Sequence, residues 1–376
     1  MFLVLTAALA APTNSMVPRA VPRNWSEAAC ALDLEAARGL AQTDLQRGIT
    51  EVVAPHGRPY DYGSLVPLFS KIDEGASELE LQVLSTALES WAGTEGEPIN
   101  DQLPDDPMLR ARLAFTPPKS RVTLPMVQTD TGAWKVKVAV NGRDAWFGLD
   151  TGASMNTVSK SFVEKSALLG TLEFDNHNQA GAATFGAVQL GIEGLETEER
   201  VMIVLKDKAL ARHGVDGLLG WPFFAGMRVT FDGAGGQLIL EPPGDEAPNA
   251  TWSFGMLLVR GTVEGADALL WLDTGGSGAL YASARQRGVP IPQGEVYERP
   301  MAGLSGRMKM QVEDLETPLV IGLPGGEYRM QPPKLVEHAD RSHWCVDARV
   351  GGRAAEGAQL VVDGVAGFVG LTAGEP

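Results

Sequence analysis

The sequence predicts a mainly β protein built from two related halves and preceded by an α-helical segment. Three observations carry this expectation. Past Pro125, apolar and polar residues alternate with the two-residue period of half-buried strands, whereas residues 24 to about 92 repeat at steps of three and four. The 44 Gly and 24 Pro in 376 residues supply more turns than a helical protein needs. The β part also matches itself when slid by 123 residues.

Residues 1–23 read as an export signal and linker. Met1 to Ala11 is apolar but too short to span a bilayer, which takes ~20 residues, and Ala8-Leu9-Ala10 fits a small-x-small cleavage site. No basic residue precedes the apolar run, and Met16 offers a second start. Export to the periplasm or the outside is therefore expected, with a cytoplasmic protein as the alternative. No other stretch is apolar for long enough to form a membrane helix, so no integral membrane segment is expected.

Residues 24–115 form the helical region. Cys30, Leu34, Ala37, Ala41 and Leu45 would share one helix face; Ser77 and Glu80 make a capping box for a second helix with the stripe Leu81, Leu84, Leu88 and Trp91. Between residues 24 and 110, 16 acidic side chains face 5 basic ones, which marks this quarter as a separate unit. A removable pro-segment and a permanent docking domain both fit. The acidity favours the second, since a pro-segment that masks carboxylates needs basic residues.

Two β regions follow, 116–243 and 250–376, divided by the connector Glu241-Pro242-Pro243-Gly244-Asp245-Glu246-Ala247-Pro248. Val136 to Val140 is a strand, Asn141-Gly142 a hairpin turn, and Ala145 to Leu149 the returning strand. At the offset of 123, Val136 falls on Val259, Val140 on Val263, Gly142 on Gly265, Leu149 on Leu272, and Asp150-Thr151-Gly152 on Asp273-Thr274-Gly275, with Ser154 on Ser277. A second block, Gly214 to Gly220, aligns with Gly364 to Gly370 at an offset of 150, which places 27 extra residues in the second copy.

Two Asp-Thr-Gly loops, each after an apolar strand and each followed by a glycine-bounded apolar block, resemble the pepsin and retropepsin families of aspartic proteases. The run from Leu218 to Phe224, with Arg228 to Asp232, looks most like bacterial retropepsin-type proteins. The resemblance covers roughly Trp134 to Leu371. It implies two pseudo-symmetric acid-protease β-barrel lobes that present both loops at their interface. It implies an aspartic-type endopeptidase, with Asp150 and Asp273 sharing one proton and activating a water against a peptide or protein substrate. Neither cofactor nor metal is needed.

By the same resemblance, Thr151, Gly152, Ser154, Thr274, Gly275 and Ser277 support the two loops. Ala180, Gly181 and Ala182, together with Gly303, stand where a flap would cover the substrate, although two plain hairpin turns fit these residues equally well. Family members usually carry Ser or Thr directly after Asp-Thr-Gly, where its hydroxyl can donate to the carboxylate. Here the residues are Ala153 and Gly276. Losing a donor to the charged form raises a carboxylate's pKa, so a less acidic working pH than that of pepsin is expected. The chain also ends six residues after Gly370, short of the helix usual in the family. That feature sustains the alternative of a catalytically silent peptide-binding protein with the same fold.

Other classes fit poorly. The net charge of −16 disfavours nucleic acid or anionic membrane as a partner. Two cysteines and five scattered histidines form no zinc pattern. Cys30 and Cys345 leave open either one disulfide or two buried thiols. Oligomeric state has no signature in the sequence.

Overall fold

The computed structural model describes residues 25–30, 34–52, 110–111 and 113–373, with interruptions at 131, 177–178, 212, 254–255, 287, 304–305, 332–333 and 338–345. It is mainly β. Its first half contains β1 (Val122–Gln128), β2 (Trp134–Val140), β3 (Arg143–Leu149), β4 (Thr157–Ser159), β5 (Leu168–Asn176), β6 (Gln179–Gly191), β7 (Glu198–Leu205), β8 (Gly217–Leu219), β9 (Arg228–Asp232) and β10 (Gln237–Glu241). The second half contains β11 (Ala250–Ser253), β12 (Met256–Val263), β13 (Ala266–Asp273), β14 (Ala279–Tyr281), β15 (Glu295–Gly303), β16 (Gly306–Asp314), β17 (Leu319–Leu323), β18 (Gly326–Met330), β19 (Lys334–Glu337), β20 (Ala348–Gly351), β21 (Ala358–Asp363) and β22 (Phe368–Ala373).

The strands form two large sheets. A 12-stranded sheet runs β22-β21-β9-β10-β1-β2-β3-β8-β4-β7-β6-β5, and an extra β2–β6 pairing curls its second part back on itself. A 10-stranded sheet runs β15-β16-β19-β14-β20-β13-β12-β17-β18, with β11 against β12. One hydrophobic core, from Phe115 to Leu371, draws on both halves.

Alternation makes the first hairpin. Trp134, Val136, Val138 and Val140 of β2 all point inward, and Asn141 (φ 51°) and Gly142 (φ 74°) take the left-handed pair of angles that a two-residue hairpin turn requires. Glu264 (φ 51°) and Gly265 (φ 78°) repeat that turn between β12 and β13. The predicted offset of 123 therefore holds for the backbone as well as for the letters.

The second predicted block does not hold. β3 is flanked by a parallel strand, β8, with Leu149 opposite Leu219. In the second half the parallel neighbour of β13 is β20, with Leu272 opposite Val350. The counterpart of Gly214–Gly220 is therefore the stretch that ends in β20, at an offset of 131, and the second copy carries 8 extra residues between the blocks rather than 27. A pair of aspartates confirms the register: half-buried Asp216 accepts the Trp146 amide at 2.9 Å, and buried Asp347 accepts the Leu269 amide at 2.7 Å. The same offset carries β9 onto β21 and the helix Trp221–Ala225 onto the 3-10 turn Gly352–Ala355. The helix that the sequence lacks after Gly370 has its counterpart earlier, in that turn, and Gly364–Gly370 is instead the turn into β22 with the first three residues of that strand.

β21 lies antiparallel to β9, with Thr230 opposite Val361, its own counterpart at the offset of 131. The two halves thus meet through equivalent strands, the arrangement of a two-fold interface. The first sheet accordingly contains β21 and β22, beyond the sequence boundary between 243 and 250.

The amino-terminal helix expected over Cys30 to Leu45 is broken. Three short helices stand there, Trp25–Cys30, Leu34–Leu40 and Asp44–Val52. Thr43 starts the third, its hydroxyl accepting the Gln46 amide at 3.0 Å. The helix expected after Ser77 lies outside the described residues, as do Cys345 and the side chain of Cys30, and with them any bridge between these cysteines. Phe115, expected to close the helical region, belongs to the first half: its amide donates to Pro222 O at 3.0 Å and its ring packs edge-on to Phe223. Among the described residues, no helix is long and apolar enough to cross a membrane.

Candidate active site

Each Asp-Thr-Gly loop leaves its sheet where a hairpin strand ends beside a parallel neighbour. Asp150 N donates to Leu219 O at 2.9 Å, which holds the first loop against the end of β8. Gly220 N donates to Asn156 Oδ1 at 2.8 Å, pinning the chain beneath that loop. In the second half Asp273 is the last residue of β13 and pairs with Gly351 of β20.

Reciprocal hydrogen bonds lock the loops together. Thr151 Oγ1 donates to Leu272 O at 2.7 Å and accepts from Thr274 N at 3.1 Å. Thr274 Oγ1 donates to Leu149 O at 2.9 Å and accepts from Thr151 N at 3.0 Å. Both threonines are fully buried. Each hydroxyl thus satisfies one amide and one carbonyl of the facing strand end, so four backbone groups and two hydroxyls that lack water are paired across the junction.

The clamp brings Asp150 and Asp273 into contact. Their carboxyl groups share a hydrogen bond, and the Gly152 amide donates to Asp150 Oδ1 at 2.9 Å. Burial, the negative charge of Asp273 and the shared hydrogen bond raise the Asp150 pKa well above the ordinary carboxylate value; the Gly152 and Ala153 amides offset part of this. Space explains the glycines. A Cβ at Gly275 would lie 2.2 Å from Asp150 Cγ, and one at Gly152 would lie 2.5 Å from Asp273 Oδ1. Each loop's glycine leaves room for the other loop's carboxylate.

Ser154 and Ser277 sit on the exposed side of their loops, and Ser277 contributes a backbone carbonyl that accepts from Arg349 Nε at 3.2 Å. The flap candidates lie in two long hairpins. Ala180, Gly181 and Ala182 belong to β6, opposite Asp175, Phe174 and Glu173 of β5, and Gly303 pairs with Gly306 at the end of the β15–β16 hairpin. These three residues therefore lie on the extended arm of their hairpin, in which Asn176 pairs with Gln179.

One residue at the site escaped the sequence reading. Arg349 of β20 places Nη1 3.5 Å from Asp273 Oδ2, and its guanidinium lies 5.6 Å from the Trp271 ring centroid. Gly276 offers no hydroxyl to Asp273, and a charged neighbour comes instead from the adjoining strand. A Cβ at Gly276 would stand 2.4 Å from Asp273 Oδ2, so the small residue leaves that oxygen open towards Arg349. The only sequence signal for it is the offset of 131, which sets Arg349 where the first half has Leu218.

Among the described residues, no group of three or more His, Cys, Asp or Glu could hold a metal ion. No family model matches the chain, and no curated protein matches it.

Proposed function

We propose that this chain is an aspartic endopeptidase with two acid-protease lobes, hydrolysing peptide bonds by means of a water activated between Asp150 and Asp273. The observation that carries the reading is the close approach of two carboxyl groups, one from each half, with each loop's glycine leaving room for the other loop's carboxylate; two like charges so close favour a single shared proton. The reciprocal threonine clamp supports it, because acid–base chemistry on one water needs both groups held within hydrogen-bond reach.

Hydrolysis then needs only this pair. The ionised carboxylate takes a proton from the water as its oxygen bonds to the peptide carbonyl carbon, while the protonated carboxyl gives its proton to the carbonyl oxygen. The tetrahedral diol collapses when the newly protonated acid passes its proton to the leaving nitrogen and the other carboxylate recovers one from the diol. Both groups end as they began. The β5–β6 and β15–β16 hairpins are the proposed cover over a bound peptide. Export, as the amino-terminal residues suggest, would give the enzyme substrates outside the cytoplasm.

Cleavage of casein or a peptide library that pepstatin inhibits tests the proposal. Asp150→Asn or Asp273→Asn should lower kcat/KM by about 10²- to 10⁴-fold, the contribution typical of a positioned acid or base. Undiminished hydrolysis in either variant would sink the mechanism. Saturable peptide binding without cleavage would point instead to a silent binding protein.

A further inference from the structure

The two carboxylates are alike in the sequence, yet their surroundings differ in charge. At the position facing the first loop from β8 stands Leu218, packed towards Gly148; a Cβ on that glycine would meet Leu218 Cδ2 at 2.9 Å. The equivalent pair in the second half is Trp271 and Arg349, directly opposite each other in the β13–β20 register. Arg349 is restrained from three sides. Its Nε donates to Ser277 O at 3.2 Å, its guanidinium lies near the Trp271 ring, and Nη1 faces Asp273 Oδ2 at 3.5 Å. Only about a fifth of its side chain remains exposed, 22% against 10% for Asp273. A guanidinium so placed acts on Asp273 much more strongly than a surface cation would.

We propose that Arg349 is a positioning residue that breaks the symmetry of the pair, holding the negative charge on Asp273 and so leaving the shared proton on Asp150. Asp273 is then the base that takes the proton of the water, and Asp150 is the acid that gives its proton to the carbonyl oxygen. The assignment rests on the protease reading only for its kinetic meaning; the charge distribution itself exists without a substrate. Three titratable or charged groups bear on Asp273 from the packed elements: Asp150 from the first loop, Arg349 from β20 and Tyr281 from β14. Tyr281 is buried, which pushes its hydroxyl further from ionising, so it stays neutral over the working range. Burial and the neighbouring carboxylate favour the neutral form of Asp150, in agreement with the geometry.

A mutant cycle decides the matter without any need for activity. Asp150→Asn mimics the protonated acid and keeps the Arg349–Asp273 pair. Asp273→Asn removes the anion that Arg349 faces. At pH 7 the thermal midpoint of Asp150→Asn should exceed that of Asp273→Asn, and the gap should close when both are made in an Arg349→Leu background. Equal midpoints in the parent background, or a gap that survives Arg349→Leu, would overturn the proposal. A kinetic arm adds a readout that a merely structural role would not move. Arg349→Leu should move the acid limb of the kcat/KM–pH profile upward, and Arg349→Lys should recover part of that move. An acid limb that stays in place with Arg349→Leu also counts against it. If the parent hydrolyses nothing, the protease reading fails while the stability cycle still reports on Arg349.

Discussion

The two halves of the molecule share a scaffold and differ in what they put on it. Both have a hairpin turned by a left-handed pair of residues, an aspartate that accepts a strand amide, a parallel neighbour beside the loop and a helical turn after it. The differences lie in side chains at matching positions. The first half has Gly148, Leu218 and the aromatic-rich Trp221–Ala225; the second has Trp271, Arg349 and the small-residue turn Gly352–Ala355. Backbone duplication brings two carboxylates together, and side-chain divergence makes them unequal. In the proposed hydrolysis, where one carboxyl gives a proton and the other takes one, such inequality sets the order.

The equal part of the comparison is tested most severely at the clamp. Thr151→Ala or Thr274→Ala strands one amide and one carbonyl at the buried junction, at about 1–3 kcal/mol for each group. Urea denaturation should show a midpoint lowered by that total with little change in slope, and serine at the same position should restore most of it. Alanine variants as stable as the parent would mean that the clamp does not hold the halves in register.

The next effect is smaller and measures how far the halves have drifted. Asp347 is fully buried and Asp216 only half-buried, though each accepts the matching strand amide. Asp347→Ala should therefore cost about 2 kcal/mol and Asp216→Ala about 1 kcal/mol, since water can replace the lost acceptor only at the exposed site. Calorimetry on both variants would sharpen the comparison, and a reversed order would break it.

The smallest effect is a slope. Asp150 has a folded-state pKa above its ordinary value of 3.8, so the native chain binds more protons at this group than the unfolded chain does. Its contribution to stability is complete below about that pH and is lost as pH climbs towards the raised value. Stability measured from pH 4 to 7 should decline for this reason in the parent, and the decline should be shallower in Asp150→Asn.

Much of this was legible in the residues. The strand period, the Asn141-Gly142 turn, the doubled Asp-Thr-Gly and the offset of 123 all depend on local rules that act within a hairpin. The apolar stripe from Cys30 to Leu45 reads as a single helix face, whereas the structure breaks it at Thr43, whose hydroxyl accepts the Gln46 amide. The second block was misread because glycine serves two ends with one letter. Gly217 lets Phe147 and Thr157 approach, a Cβ there meeting the Phe147 ring at 2.3 Å, whereas Gly367 supplies a turn at φ 65°. Aligning them placed the second half out of register and hid Arg349.

By itself the sequence determined that there are two β halves, where each hairpin turns and which two aspartates are equivalent, because periodicity and turn chemistry involve neighbours in the chain. Only the tertiary structure decided which distant strand lies beside each loop, and therefore which side chain faces each carboxylate. That choice is made by pairing across about 80 residues, from Trp271 to Arg349, and no local preference encodes it; the packing of the whole core does.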